Sequence, residues 1–354
     1  MAMRESGAWP LSSGSWFVRA HTDSLVLAEP MESGGVQLKA LTEGAKLSTL
    51  GAPGVQVEDA AVGKSGVFIC GQSGVRKIDW VGKSQLLHAG GASLVACEGD
   101  MVAAVFRSPA PSDPRQLWSD ETLMVFVAGK WQEYVRRQGR YAHAIDVVVD
   151  KQGNLKVALG SVLQGYPLRS VVEVYGTKGK ELEWEGAGGT VRQMSLDPQL
   201  GGGFVACGNT VARFDKNGRT SWRYDCTGCV VGLLVEEDGG VTAGVNNGAS
   251  RPPFLGWLKQ DEVVRIGSDG SRVWSIGFSS EVRSLCNGPT VKGKATVVVC
   301  TASGVTIVDS SGRVCGSLPL NGGARIARTL GQHLYVIAGD WVLHQIEWQE
   351  QQAK

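Results

Sequence analysis

One phrase keeps returning along this chain: an apolar strand, a short hinge ending in Gly, then a strand often centred on Trp. Its clearest copies are Val211-Ala-Arg-Phe-Asp-Lys-Asn-Gly-Arg-Thr-Ser-Trp222 and Val263-Val-Arg-Ile-Gly-Ser-Asp-Gly-Ser-Arg-Val-Trp274. Weaker copies run over 75–86, 174–184 and 305–316. A unit of roughly 40–50 residues made of strands cannot bury its apolar faces alone and must stack against copies of itself. The expected fold is therefore all-β, a β-propeller of four-stranded antiparallel blades.

The fifth unit shows the pattern in full. From the channel outward, strand a is Val191–Leu196, b is Gly203–Cys207, c is Val211–Phe214 and d is Thr220–Tyr224. Apolar–polar alternation, Val/Ile/Phe/Trp enrichment and Gly/Asn/Asp hinges mark these strands and their hairpins. Outer-strand landmarks fall at Trp9, Leu47, Leu86, Trp131, Trp184, Trp222, Trp274 and Gly316. The C-terminal stretch supplies only three strands, ending in Trp341–Trp348, and the residues around Trp9 supply the fourth. Joining both termini in one blade removes exposed strand edges. The count is eight blades, with seven as the alternative because residues 15–50 carry the weakest signal. The chain is read as a single domain, 1–354, with 1–12 as the closing strand and 349–354 as a disordered tail.

Forty-nine glycines among 354 residues fit many tight turns, since Gly takes positive φ without steric cost. A net charge of +1 gives no global field toward nucleic acid or anionic lipid, so any charged surface must be local. Nucleic acid is disfavoured as a partner without being ruled out. The first residues hold no apolar run of signal-peptide length, and no segment reaches membrane-spanning length. Cys70, Cys207 and Cys300 occupy equivalent strand positions, which suits buried, reduced thiols packing as small hydrophobes. The expectation is a cytoplasmic protein without membrane insertion. Cys226-Thr-Gly-Cys229 has metal or redox spacing, but no second such pair accompanies it, so neither a metal nor a cofactor is expected.

The Asp-x-x-Gly-x-x-x-Trp phrase resembles the repeat of PQQ-type propellers, which include quinoprotein dehydrogenases and the BamB outer-membrane assembly factor. The resemblance runs through most of the chain at repeat level. It implies blade packing rather than chemistry. The vicinal cysteine pair that quinoprotein alcohol dehydrogenases carry over their quinone is missing, and so are the leader and lipidation cysteine of BamB-like proteins. The resemblance thus supports the fold and argues against both activities.

Strand order puts the b–c and d–a connections on one face of the ring and the a–b and c–d turns on the other. Three b–c loops are long, 107–120, 163–169 and 246–260, and such insertions are where binding residues concentrate. Arg107, Arg115, Trp118, Arg136, Arg137, Arg140, Tyr166 and Arg169 gather there on blades three and four, with Arg251 and Trp257 in the third loop. Arg with aromatics favours a protein hot spot or a phosphate-bearing ligand. Asp113, Asp120, Glu121 and Glu133 dilute the patch, and a solvated mixed-charge rim is the bland alternative. A second candidate is the channel, where Arg19, His143, Asp146, Arg192 and Arg283 lie on a strands. His143 and Asp146 resemble an acid–base pair, yet a spacing of three puts them on opposite faces of an ideal strand. The leading expectation is a non-enzymatic interaction scaffold, a subunit of a larger protein assembly. The alternative is an enzyme or small-anion binder at the channel mouth.

Overall fold

The computed structural model of the chain describes residues 2–20, 25–32, 35–41, 47–51, 55–108, 120–137, 140–163, 169–187, 189–197, 201–247, 260–291 and 293–349. These residues form eight sheets, one per blade, each built on four antiparallel strands that run in sequence order from the channel outward in blades 1 to 7. Blades 1 to 7 span 16–51, 59–88, 92–137, 140–187, 191–225, 229–278 and 282–319. Blade 8 combines Ala324–Leu330, His333–Ala338 and Val342–Gln349 with the N-terminal strand Ala2–Pro10 as its outer strand. The count of eight and the closure through Trp9 both hold. Gln349 pairs with Ala2 and so belongs to the strand; residues 350–354 lie outside the described residues.

The weakness of the first unit has a cause. Its a strand is only Trp16–Phe17, after which Arg19–Ala20 pairs in parallel with Ala61–Val62 and adds a fifth strand to blade 2. Two residues on one sheet and two on the next leave no readable alternation.

Because both faces of every blade are covered, the apolar core is divided into eight packets, one at each blade–blade junction. Between blades 5 and 6, for example, Phe204, Val211 and Cys226 pack on Val230, Val241 and Val264. At the junction that closes the ring, Phe17 and Leu27 of blade 1 meet Tyr335 and Leu343 of blade 8, with Trp9 against them.

The repeated phrase encodes these junctions. In its hinge, the Asp215 carboxylate accepts the Asn217 and Arg219 amides and Gly218 sits at φ +75°. The Asp309 carboxylate does the same for Ser311 and Arg313. The outer-strand Trp then reaches the neighbouring blade. The Trp222 indole N–H donates to the Ser268 carbonyl and that of Trp274 to the Ser310 carbonyl, both at 3.0 Å. A Cβ added at Gly270 would stand 2.6 Å from Trp222, and one at Gly312 2.8 Å from Trp274. Gly is therefore required in the hinge twice over: its φ is positive, and the preceding blade's indole lies on it.

Candidate functional site

The b–c/d–a face between blades 3 and 4 is built on a buried ionic network. Glu121 and Arg137 are register partners on adjacent strands of blade 3, and the Arg137 Nη2 to Glu121 Oε2 distance is 2.5 Å. Its Nη1 reaches across to blade 4, donating to Glu173 Oε2 and Ser161 Oγ, both at 2.8 Å. The Glu121 carboxylate also accepts the Ala142 amide at 3.1 Å from both oxygens. Glu121, Ser161 and Glu173 are at most 1 % exposed and Arg137 5 %, so the pairs are sealed inside the junction, with the Arg137 Nε left without a hydrogen-bond partner among the described residues.

Above this network the chain presents a stack. Arg107 ends the b strand of blade 3, its Nε 3.6 Å from Glu121 and its guanidinium 3.9 Å above the Tyr141 ring. Tyr141 in turn packs against His143, ring centroids 4.7 Å apart. Partial desolvation of the imidazole, followed by the Arg107 charge, holds the His143 pKa below its ordinary value, and Glu121 opposes this only in part. His143 is thus neutral at physiological pH, and the stack carries the single positive charge of Arg107.

The predicted residues, the channel's Asp146, Arg192 and Arg283 apart, divide into four groups. Arg107 and His143 belong to the stack. Arg136 and Arg169 are exposed on the same side and hold rim ion pairs with Glu133 (3.3 Å) and Glu185 (2.7 Å). Arg137 lies in the interior beneath the surface it was assigned to. Arg115, Trp118, Tyr166, Arg251 and Trp257 fall outside the described residues, as do the side chains of Arg19 and Arg140. Glu121, read as diluting the patch, is instead a counter-charge that holds Arg137, together with Glu173. The signal for Glu121 was its parity, since Glu121, Leu123 and Val125 are the buried face of one alternating strand.

In the channel the polar residues of the inner strands tie neighbouring blades together. The Asp146 carboxylate accepts the Leu196 amide of blade 5 at 2.8 Å, and Asp59 accepts the Val95 amide of blade 3 at 3.0 Å. Gln193 exchanges two hydrogen bonds with the Leu233 backbone of blade 6. His143 and Asp146 thus have separate partners and do not form a pair. The channel encloses a cavity of about 720 Å³, with Arg192 and Arg328 in its lining. Cys226 is buried in the junction core and Cys229 is half-buried; neither is in a disulfide. Burial pushes the Cys226 thiol up to about 12 and those of Cys207 and Cys300 up to about 11. No helix among the described residues is long and apolar enough to cross a membrane.

Comparison with protein-family profiles and with curated protein sequences finds no match. Solved structures do resemble the chain. BamB from Moraxella catarrhalis is 14% identical over 100% of both chains, with a TM-score of 0.60. The C-terminal WD40 domain of Sif2 is 12% identical with a TM-score of 0.67, covering 98% of this chain and 99% of that one. Chaetomium thermophilum Sqt1, bound to the N-terminus of ribosomal protein L10, is 9% identical with a TM-score of 0.68, covering 97% and 99%. What these proteins share with the chain is its architecture, that of a β-propeller.

Proposed function

We propose that this propeller is a non-enzymatic interaction platform, a cytoplasmic subunit of a larger assembly, that takes a protein partner on its b–c/d–a face. Its anchor is the Arg107–Tyr141–His143 stack, flanked by Arg136 and Arg169. The observation that carries this reading is the ionic network beneath the stack. Buried ion pairs seldom stabilise a fold better than apolar residues of similar size, and their best-attested use is to fix geometry. Here the geometry fixed is that of an Arg and a Tyr at the surface, two residue types that dominate interface hot spots. A rigid aromatic carrying a guanidinium loses little entropy on binding. Two structurally similar propellers were solved with protein partners, Sqt1 with the L10 N-terminus and BBS1N with ARL6. The separate engagements of His143 and Asp146 further support a role without catalysis.

The test is affinity capture from the native cell with Tyr141→Ala and with the double variant Arg136→Glu/Arg169→Glu. Each anchor is expected to contribute about 2 kcal/mol, so a partner held by the wild type should be weakened more than tenfold. Melting temperature should stay unchanged for the double variant, because exposed ion pairs add only ~0–1 kcal/mol. Partners captured equally well by all variants would refute the reading.

A further inference from the structure

The inner strands of blades 3 to 8 share an irregularity. Each slips register by one residue just inside its d–a corner. A bulge leaves one residue outside the ladder and re-aims its side chain. The residues left out are Ser93, His143, Arg192, Val231, Arg283 and Arg325; Ser93 is buried, and the other five are at least partly exposed around the mouth of the channel. Three of them are arginines, on blades 5, 7 and 8.

These arginines keep donors available. Arg192 is exposed, lines the cavity and makes no ion pair among the described residues. Arg283 uses Nε on Glu281 at 3.1 Å and Nη1 on the Gly322 carbonyl at 3.2 Å, which leaves Nη2. Arg325 is exposed and lies over the Trp341 indole, 4.2 Å from its centroid. A guanidinium stacked in this way keeps its N–H edge for a carboxylate. Trp341 provides the second observation. It stands in the b–c turn of blade 8 at φ +62°, a conformation that is an outlier for a bulky residue and marks strain at functional sites. The chain holds an indole under Arg325 where glycine would fit the backbone better. Below the rim, Asp59 and Asp146 are engaged by backbone amides of the next blades.

We propose that the channel mouth binds an extended acidic peptide segment, with carboxylates on Arg192, Arg283 and Arg325. This rests on reading the b–c/d–a face as the docking face, and it names the chemistry of the partner. The arginines do not converge on one point. They are spread along an arc over blades 5 to 8, with apolar Val231 between the first two and Trp341 beside the last. A chain bearing carboxylates at intervals matches that spacing, whereas one small anion reaches a single blade junction.

The probe is fluorescein-labelled hexaglutamate, followed by anisotropy at low salt with the full-length protein; hexaglutamine is the control. Saturable, salt-sensitive binding of hexaglutamate alone is expected. Arg192→Gln/Arg325→Gln should weaken it about tenfold or more, and Trp341→Gly, which relieves the backbone, should weaken it several-fold. Both arginines are exposed, so the double variant should melt like the wild type. Absence of binding, or equal binding by all variants, overturns the proposal. Displacement of the peptide by millimolar inorganic phosphate also overturns it, in favour of a small-anion site. The assay requires no native partner, so it stands or falls separately from capture through Tyr141 and Arg136.

Discussion

If the hinge Gly is required by the Trp of the preceding blade, then adding one methyl group there should cost more than backbone strain alone. Two glycines make the comparison. Gly312 lies at φ +84° and a Cβ on it would stand 2.8 Å from the Trp274 ring; Gly153 lies at φ +81° and a Cβ on it would meet nothing within 4 Å. Alanine pays about 1–2 kcal/mol for the left-handed conformation at either site. At Gly312 the overlap with the indole adds about 1–3 kcal/mol, the usual cost of overpacking a well-filled site. Gly312→Ala is thus expected to destabilise by roughly 2–5 kcal/mol and Gly153→Ala by roughly 1–2. Urea unfolding followed by circular dichroism measures both. Trp274→Ala combined with Gly312→Ala should recover part of the loss, giving a coupling of at least ~1 kcal/mol, whereas Gly153→Ala should add independently. Equal losses at the two glycines, with no coupling to Trp274, would show that the phrase is turn chemistry only and that blade packing is specified elsewhere.

Arg137→Met should destabilise by ~3–5 kcal/mol, because Glu121 and Glu173 lose their hydrogen-bonded buried counter-charge and keep only the more distant Arg107 Nε (3.6 Å) and Lys180 Nζ (3.8 Å), while Arg136→Met one residue away should stay within about 0.5 kcal/mol; similar melting temperatures for the two would show that the network does not hold the junction. Deleting residues 1–12 strips the outer strand and Trp9 from blade 8 and should cost at least ~3 kcal/mol, read as a lowered melting temperature; an unchanged melt would contradict closure by the N-terminus. Ellman's reagent at pH 8 should titrate only the half-buried Cys229 and Cys315 in the native protein, since the other six thiols are buried, and all eight once it is unfolded. A third fast-reacting thiol would contradict the burial of Cys70, Cys97, Cys207, Cys226, Cys286 and Cys300.

The strands were legible because each has one face on either neighbour and a Gly hinge at fixed distance. In blade 5 the reading of strands a and b matches the structure, and strands c and d extend by one residue each, to Thr210 and Asp225. Closure was legible too, since a three-strand remainder at one end demands a strand from the other. The site was harder. Sequence proximity grouped Arg136 with Arg137, but adjacent strand residues face opposite ways, and one is at the rim while the other is sealed in the junction. Nor does spacing reveal the bulges, because the slip that exposes Arg192 and Arg325 depends on how the inner strands curve around the channel. Trp341 reads as the start of the last c strand, yet its positive φ places it in the turn before Val342.

The claim that matters most is which face of the ring meets other proteins. A photo-crosslinking amino acid at position 141, on the b–c/d–a face, can be compared in living cells with the same residue at Ser271, in a c–d turn on the opposite face. Docking on the b–c/d–a face gives discrete higher-mass adducts from position 141 and none from position 271. Adducts that form from position 271 while position 141 yields none would contradict it and turn the molecule over.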